Sequence, residues 1–260
     1  MRKLMKYEFF KTLSMFRVLL FVLFLLECGF FVGLAMKRDN VYGISLTMLT
    51  LFSVMVYGYV LINGIVSYSR ELSDRTGYLV FLTPVRPLSI VVSKLLYTML
   101  AAIFMTAVFA IAAWFDYVYL LKRVSIDPEI IRQIDMGLKM FLGDANASVG
   151  KVAIGLSFIG LTMLSTLLRT MCTSYLAITV SATIMQNRKG FLRALVSFAL
   201  FGLLEYGAEK LGSVLPQRQM NPETMSTLLR ALGIELVYEL SLSTVFAGVS
   251  AYLLDKKVSL

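Results

Sequence analysis

Residues 44–67 of this chain read ISLTMLTLFSVMVYGYVLINGIVS, a run without a single charged side chain. An α-helix needs about 20 mostly apolar residues to cross a bilayer core, so this run is long enough to span a membrane. Residues 69–94, SRELSDRTGYLVFLTPVRPLSIVVSK, follow it, and a second apolar run covers residues 95–121. The sequence therefore predicts two membrane helices joined by a long loop that contains charges, a glycine and two prolines.

Runs of this kind recur along the whole chain. The 260 residues are 58% hydrophobic and 16% charged, with a mean hydropathy of +0.78, which is too apolar for one soluble domain. We predict an all-α integral membrane protein with one transmembrane domain over residues 1–260 and with outer loops at residues 122–151 and 212–234. The six predicted spans cover residues 18–36, 44–67, 95–121, 152–185, 191–211 and 235–254.

Lysine and arginine indicate the orientation of the spans. If the N-terminus is cytoplasmic, the inner segments carry a marked excess of basic over acidic residues, whereas the outer segments are nearly balanced. Basic residues favour the cytoplasmic side. We therefore predict a multi-pass protein of the cell membrane with both termini and the 69–94 loop in the cytoplasm. The net charge of +9 is then explained by orientation and by attraction to the lipid bilayer, and we predict no nucleic-acid partner.

Several chemistries lack the residues they require. The chain has no histidine, and its two cysteines, Cys28 and Cys172, lie within apolar runs, so the sequence offers neither a Cys/His metal site nor a disulfide framework. Residues 143–151, GDANASVGK, depart from a phosphate-binding loop in glycine spacing and in the residue after the lysine. We predict no catalytic residue, cofactor or metal in this chain, which is then not an enzyme.

The N-terminal segment, residues 1–17, mixes five basic residues with aromatic and aliphatic ones. An amphipathic helix of this composition can lie in the headgroup plane before the chain turns into the first span. The alternative is an ordinary basic flank that fixes the orientation of that span. Its aromatic content and helical spacing favour the interfacial helix.

Three ionisable residues share a similar depth towards the outer side of the predicted spans. They are Arg169, Glu205 and Glu239, placed by counting along straight helices at a rise of about 1.5 Å per residue. Ionisable groups inside a bilayer are costly and usually pair with one another. One hypothesis is that Arg169 pairs with Glu205 or Glu239; the other is that all three side chains extend to the outer headgroups.

Glu27 differs because the same counting, started at Val18, places it near mid-membrane. At that depth we expect it to be protonated or to face a polar interior or a seam between subunits. Tyr57 and Tyr59 are the polar candidates at comparable depth. Asp116 falls at the outer end of the third span, among the aromatic residues of that end, and receives no function.

The 69–94 loop contains its own apolar segment. The second helix is expected to run past Ser67 into the cytoplasm and to end or bend at Gly77. The run YLVFL, residues 78–82, follows, and Pro84 and Pro87 then forbid a continuous helix. An apolar cluster on the cytoplasmic side usually marks a contact surface. The alternative is that this run folds back into the bilayer interface.

The order of residues in this loop resembles that in the membrane subunits of type-2 ATP-binding-cassette (ABC) exporters. The six spans, the basic N-terminus and the cytoplasmic termini are similar to that family along the whole chain, whereas the recognisable motif is confined to the loop. The motif consists of Glu71, Thr76-Gly77, the apolar run 78–82, Thr83-Pro84 and Lys94.

The resemblance implies that residues 70–82 form a coupling helix that docks into a separate ATPase subunit, which binds the ATP and Mg. It also implies dimerisation with a second permease subunit, identical or related, and a re-entrant outer element within residues 207–233. The long outer loop at residues 123–150 departs from the most compact members. The docking residues implied by the resemblance are Arg70, Glu71, Arg75, Gly77, Tyr78, Leu79, Phe81 and Leu82.

The function expected from this resemblance is that of a permease subunit of an ATP-driven exporter. The alternative is an ion-coupled secondary transporter that uses Glu27 as a midplane proton site, although the sequence has no inverted repeat with broken midplane helices. An intramembrane enzyme would need a catalytic pair, which the sequence does not offer.

Overall fold

The computed structural model describes residues 2–36, 39–73, 87–123, 136, 149–185, 191–215 and 225–256. The predicted all-α class is confirmed, because these residues include no strand and form six helices long and apolar enough to cross a membrane. The helices are α1 Arg2–Ala35, α2 Asp39–Ser73, α3 Pro87–Arg123, α4 Val149–Ile184, α5 Phe191–Ser213 and α6 Met225–Lys256.

Most of the helices are longer than the spans expected from the apolar runs. Several of the segments suited to span the membrane are also longer than expected, since a helix continues past its apolar run when no breaker follows. They are Thr12–Ala35, Gly43–Leu72, Leu88–Asp116, Ser157–Ile184, Phe191–Ser213 and Ser226–Lys256.

Helix α1 departs from the prediction of a separate interfacial helix over residues 1–17. It is one continuous helix from Arg2 to Ala35, and its spanning segment already begins at Thr12. No glycine or proline precedes Gly29, so nothing in the sequence bends the helix between its basic start and its apolar body. Glu8 and Thr12 are buried, which shows that one face of the N-terminal part packs inside the protein.

The N-terminal end of α6 also differs from the expectation of a re-entrant element within residues 207–233. The apolar stretch MSTLLRALG, residues 225–233, forms the first turns of α6 and continues into the sixth span without a break. Pro216 and Pro222 lie outside the described residues. The outer loop expected over residues 212–234 is therefore shorter, since only residues 216–224 separate the described parts of the chain there.

The first of two compact units comprises Met1–Ser67 and Val92–Tyr119. Helices α1 and α3 run in the same direction in it, because Phe16 contacts Phe104 and, fifteen residues further along α1, Phe31 contacts Tyr119. Helix α2 runs antiparallel to α3. Its contacts with α3 include a hydrogen bond between the hydroxyls of Tyr57 and Thr106, at 2.9 Å, and an edge contact between Phe52 and Phe109.

The second unit comprises Tyr68–Val91 and Leu120–Leu260, and α4 packs against both α5 and α6 in it. Of an 18-residue apolar stretch within the spanning segment of α4, 61% is buried, compared with 6% to 33% in the corresponding stretches of the other five. Small polar residues make this close packing possible, since Thr173 and Ser174 donate their hydroxyls to carbonyls of α4 itself, four residues earlier. Helix α4 is thus enclosed without leaving these hydroxyls unsatisfied.

Candidate functional site

The structure describes only the beginning of the predicted docking segment. Arg70 and Glu71 lie in the last turn of α2, where Arg70 is exposed and Glu71 is half-buried. The prediction that α2 continues beyond Ser67 agrees with its observed end at Ser73. The other predicted docking residues, Arg75, Gly77, Tyr78, Leu79, Phe81 and Leu82, lie outside the described residues.

An aromatic stack holds the end of α2 within the second unit. The rings of Tyr68 and Tyr175 are nearly parallel, with centroids 4.1 Å apart, and both residues are fully buried. The hydroxyl of Thr179 donates to the carbonyl of Tyr175, so the Tyr68 hydroxyl is the donor in its 2.6 Å hydrogen bond to Thr179. The stack and this hydrogen bond join α2 to α4 just before the predicted docking segment.

A second contact caps α2 at its C-terminal end. The guanidinium of Arg193, on the first turn of α5, donates to the carbonyl of Leu72 at 3.3 Å. The last carbonyls of a helix have no partner within the helix, and a cation there also interacts favourably with the helix dipole. Ser181 of α4 in turn donates to the carbonyl of Arg193 at 3.0 Å. Helices α2, α4 and α5 are thereby linked around the end of α2.

Within the first unit, an ion pair lies at the start of α3. Nζ of Lys94 is 2.7 Å from Oε1 of Glu8 and donates to Oγ of Ser67 at 2.9 Å, while Ser67 donates to Oε2 of Glu8 at 3.3 Å. The side chains of Lys94 and Glu8 are 5% and 8% exposed. This trio, Glu8, Ser67 and Lys94, is called the inner triad below; it joins α1, α2 and α3.

Sequence reasoning singled out Lys94 as part of the loop motif but gave Glu8 no role. Glu8 is the sole acidic residue among the first 26 residues of the chain, in a segment with five basic ones. A single acid in such a basic flank lowers the charge that favours the cytoplasmic side, so it is a reason to look for a cationic partner. Position supports the pairing, because both residues lie near the N-terminal ends of their helices, α1 and α3.

The intramembrane charges of the second unit form a three-residue cluster. Arg169 of α4 donates through a terminal guanidinium nitrogen to Glu205 of α5, and its Nε lies 2.5 Å from Oε2 of Glu239 of α6. The structure thus places Arg169 against both glutamates that the sequence offered as alternative partners. Its side chain is 15% exposed and is occupied by carboxylates, so it does not extend to the headgroups as in the other hypothesis.

This cluster, Arg169, Glu205 and Glu239, is called the outer triad below. Glu239 is the most enclosed member, with 3% of its side chain exposed, and Glu205 retains 23%. One arginine facing two carboxylates carries a net charge of −1 when all three groups are ionised. Tyr238, next to Glu239, adds a hydrogen bond from its hydroxyl to the carbonyl of Ala208, which also joins α6 to α5.

Glu27 has a partner that the sequence analysis did not suggest. Its carboxyl group lies close to that of Asp116, in the first unit. Tyr57, one of the two expected partners, instead bonds Thr106. Glu27 lies eight residues, or about 12 Å, before Ala35, where the spanning segment of α1 ends, so it is well inside that segment. Asp116 ends the spanning segment of α3 and reaches the same level.

The described residues contain no group of three His, Cys, Asp or Glu residues that could hold a metal ion, and both cysteines, within this part of the chain, are free thiols. Comparison with known proteins adds no relative, since no protein-family model, curated protein or solved structure matches this chain. We therefore infer the function of this chain from its own residues.

The inner triad predicts a large loss of stability when only its cation is removed. Lys94→Met leaves the Glu8 carboxylate buried beside an apolar side chain, and breaking a buried pair in this way costs about 3–5 kcal/mol. The double variant Glu8→Leu/Lys94→Met, which removes both charges, should recover most of that loss. Thermal unfolding of the detergent-solubilised protein measures it. Lys210→Met is the matched control, because it also replaces a lysine by methionine, at an exposed position over the ring of Tyr206. Equal losses of stability in Lys94→Met and Lys210→Met would contradict the role of the triad.

The outer triad predicts a specific order of effects. Arg169→Gln leaves Glu205 and Glu239 facing each other without a cation and should destabilise by about 3 kcal/mol or more. Glu205→Gln should cost less, because Arg169 keeps Glu239, the more buried partner. The triple glutamine variant should be more stable than Arg169→Gln alone, since interacting charges are not additive. Unfolding in detergent checks the order, and additive losses would disprove the triad.

Proposed function

We propose that this chain is the membrane-spanning permease subunit of an ATP-driven ABC exporter. It forms a transport pathway as a homodimer or heterodimer in the cell membrane, with both termini cytoplasmic. Its 69–94 loop couples it to a separate ATPase subunit, which binds ATP and Mg and carries out the hydrolysis. The chain itself is not catalytic.

The observation that carries this proposal is the attachment of the end of α2. A coupling segment transmits a displacement only if the helix end that carries it is firmly attached to the membrane spans that must move. Tyr68 stacks on Tyr175 and bonds Thr179, and Arg193 caps Leu72, so the end of α2 is tied to α4 and α5 by buried contacts. A connector whose sole role is to cross between two spans needs no such attachment.

The helices on either side of the loop support the same function. Helix α2 runs on to Ser73 and carries Arg70 and Glu71 in its last turn, as a docking arm requires. Helix α3 starts at Pro87, and Ile90 and Val91 are buried within its first turns. The described residues on both sides of the apolar run 78–82 are therefore anchored. This arrangement leaves the run itself as the part that a partner would contact.

A specific contact favours one second candidate, the ion-coupled secondary transporter. Glu27 and Asp116 face each other within the spanning segments of α1 and α3. Two carboxyl groups that lie close together repel each other when both are ionised, which favours a state in which one of them carries a proton. A pair of this kind is able to take up and release a proton, which is the chemistry that a proton-coupled transporter needs.

The permease proposal predicts that Phe81→Asp abolishes association with the ATPase and leaves membrane insertion intact. A carboxylate in the centre of an apolar contact must be desolvated without a partner, which is highly unfavourable. The measurement is affinity purification of the tagged chain from its native host in mild detergent, with ATP binding by the co-purified subunit as the readout. Phe81→Leu, which keeps the surface apolar, is the matched control. Normal recovery of the ATPase with Phe81→Asp would contradict docking through this loop.

The two candidate functions differ in their energy source. In proteoliposomes that contain the chain with its co-purified ATPase, the permease proposal predicts that ATP hydrolysis continues after a protonophore collapses the pH gradient. It also predicts that Glu27→Gln leaves that hydrolysis unchanged. The secondary transporter is favoured instead if no ATPase co-purifies and a carboxyl infrared band titrates with pH in the wild-type chain but is absent in Glu27→Gln.

A further inference from the structure

A long apolar groove runs between α1 and α3 within the first unit. Its volume is about 590 Å³, and aromatic and aliphatic side chains line it almost entirely, among them Phe9 and Phe16 of α1 and Leu100 and Phe104 of α3. Phe9, Leu100 and Phe104 are each about half exposed, so the groove opens to the surroundings of the protein. In a membrane-spanning segment, those surroundings are lipid.

The groove has the length of one leaflet. Its lining along α1 extends from Lys6 to Leu20, which is about 21 Å at a helical rise of roughly 1.5 Å per residue. Half of a hydrocarbon core is about 15 Å thick, and the headgroup region adds several ångströms. Lys6 lies six residues before the spanning segment begins at Thr12, so the groove starts in the headgroup region and continues into the hydrocarbon.

Two basic residues, Lys6 and Arg17, distinguish this groove from an ordinary lipid-facing surface. Nζ of Lys6 lies 5.8 Å from the centre of the Phe10 ring, and within the described part of the chain neither Lys6 nor Arg17 forms an ion pair with a carboxylate. Lys6 and Arg17 are eleven residues apart on α1, which is about three helical turns or roughly 16 Å, so they lie on the same face of the helix at different depths. Both positive charges thus border the groove on the same side, Lys6 at its headgroup end and Arg17 further along it.

Lys94 shows that the basic residues near this end of the first unit are not all accessible to an anion from outside the chain. It lies near the same end of α3, but it is buried and neutralised by Glu8 in the inner triad. The cations of the groove differ from it in being exposed and in bordering an apolar channel.

We propose that this groove binds one anionic phospholipid of the leaflet on the N-terminal side. The phosphate contacts Lys6, one acyl chain lies against Phe9, Phe16, Leu100 and Phe104, and the guanidinium of Arg17 extends along the groove towards the phosphate. The apolar lining gains little by exchanging one lipid chain for another, since bulk lipid is equally apolar. Selectivity therefore comes from the two cations, and the preferred headgroup is anionic. This inference does not depend on the proposed function.

The position of the lipid is tested with a photoactivatable phosphatidylglycerol that carries a diazirine in the middle of its acyl chain. The full-length chain is reconstituted in phosphatidylcholine nanodiscs containing a small fraction of this probe, irradiated and analysed by peptide mass spectrometry. We expect labelling concentrated on residues 13–20 and 100–104. Labelling spread evenly over the six helices would overturn the proposal.

Affinity is tested by native mass spectrometry with phosphatidylglycerol. Lys6→Gln/Arg17→Gln should weaken binding about 25-fold, since each cation near an anionic lipid surface contributes roughly fivefold. The matched control is Arg70→Gln/Lys256→Gln, which removes the same two charge types from exposed positions and also a lysine that lies over an aromatic ring. This control should bind like the wild type. Equal weakening in both double variants would overturn the site, because it would show a general effect of charge.

Two further measurements separate the lipid from other ligands. Ala101→Trp fills the groove without altering its charge, and it should reduce binding of the lipid in a protein that still unfolds cooperatively. Inorganic phosphate should not compete with phosphatidylglycerol at equal concentration. Competition by phosphate alone would indicate a simple anion site and overturn the proposal. A change in oligomeric state in Ala101→Trp with unchanged lipid binding would overturn it too, by making a second copy of the chain the occupant.

Discussion

A charged group inside the hydrocarbon region must meet a partner, and this constraint governs how the helices of this protein are placed. Arg169 pairs with one carboxylate from α5 and with one from α6. These ion pairs hold α4, α5 and α6 together. Lys94 satisfies the constraint in the first unit with Glu8 and Ser67, which joins three helices at one end. Apolar contacts alone would allow the helices to slide past one another, because lipid is as apolar as the side chains. The ion pairs give each unit its register.

The small polar residues of α4 meet the same constraint by another means. Thr173, Ser174 and Thr179 are buried, and each donates its hydroxyl to a carbonyl one turn earlier in its own helix. Because these hydroxyls are satisfied locally, they behave towards neighbouring helices as small side chains and permit close approach. Thr179 has a second role, since its oxygen also accepts the hydrogen bond from Tyr68. Packing in α4 and attachment of the end of α2 therefore depend partly on the same residue.

The six helices were predictable because the length of an apolar run states directly whether it can cross a bilayer. Counting residues along straight helices likewise brought Arg169, Glu205 and Glu239 to one level, but it could not choose between the two glutamates, since the choice depends on which faces meet. The same counting placed Glu27 deep within the first span but could not supply its neighbour Asp116, since that neighbour depends on which faces of α1 and α3 meet. Glu8 was missed because charges in the flanking segments were considered for orientation and not for pairing.

The distribution of partners among the basic residues also explains why the groove between α1 and α3 differs from the two triads. Where a cation is enclosed by protein, as Lys94 and Arg169 are, the chain supplies carboxylates for it. Lys6 and Arg17 are exposed and border the apolar groove, and neither forms an ion pair with a carboxylate of the described residues. In our proposal an anion from outside the chain neutralises them close to hydrocarbon, and the lipid phosphate is the anion that a bilayer holds at that depth. The folded chain thus satisfies its enclosed charges itself and uses its solvent, the lipid, to satisfy those at its surface.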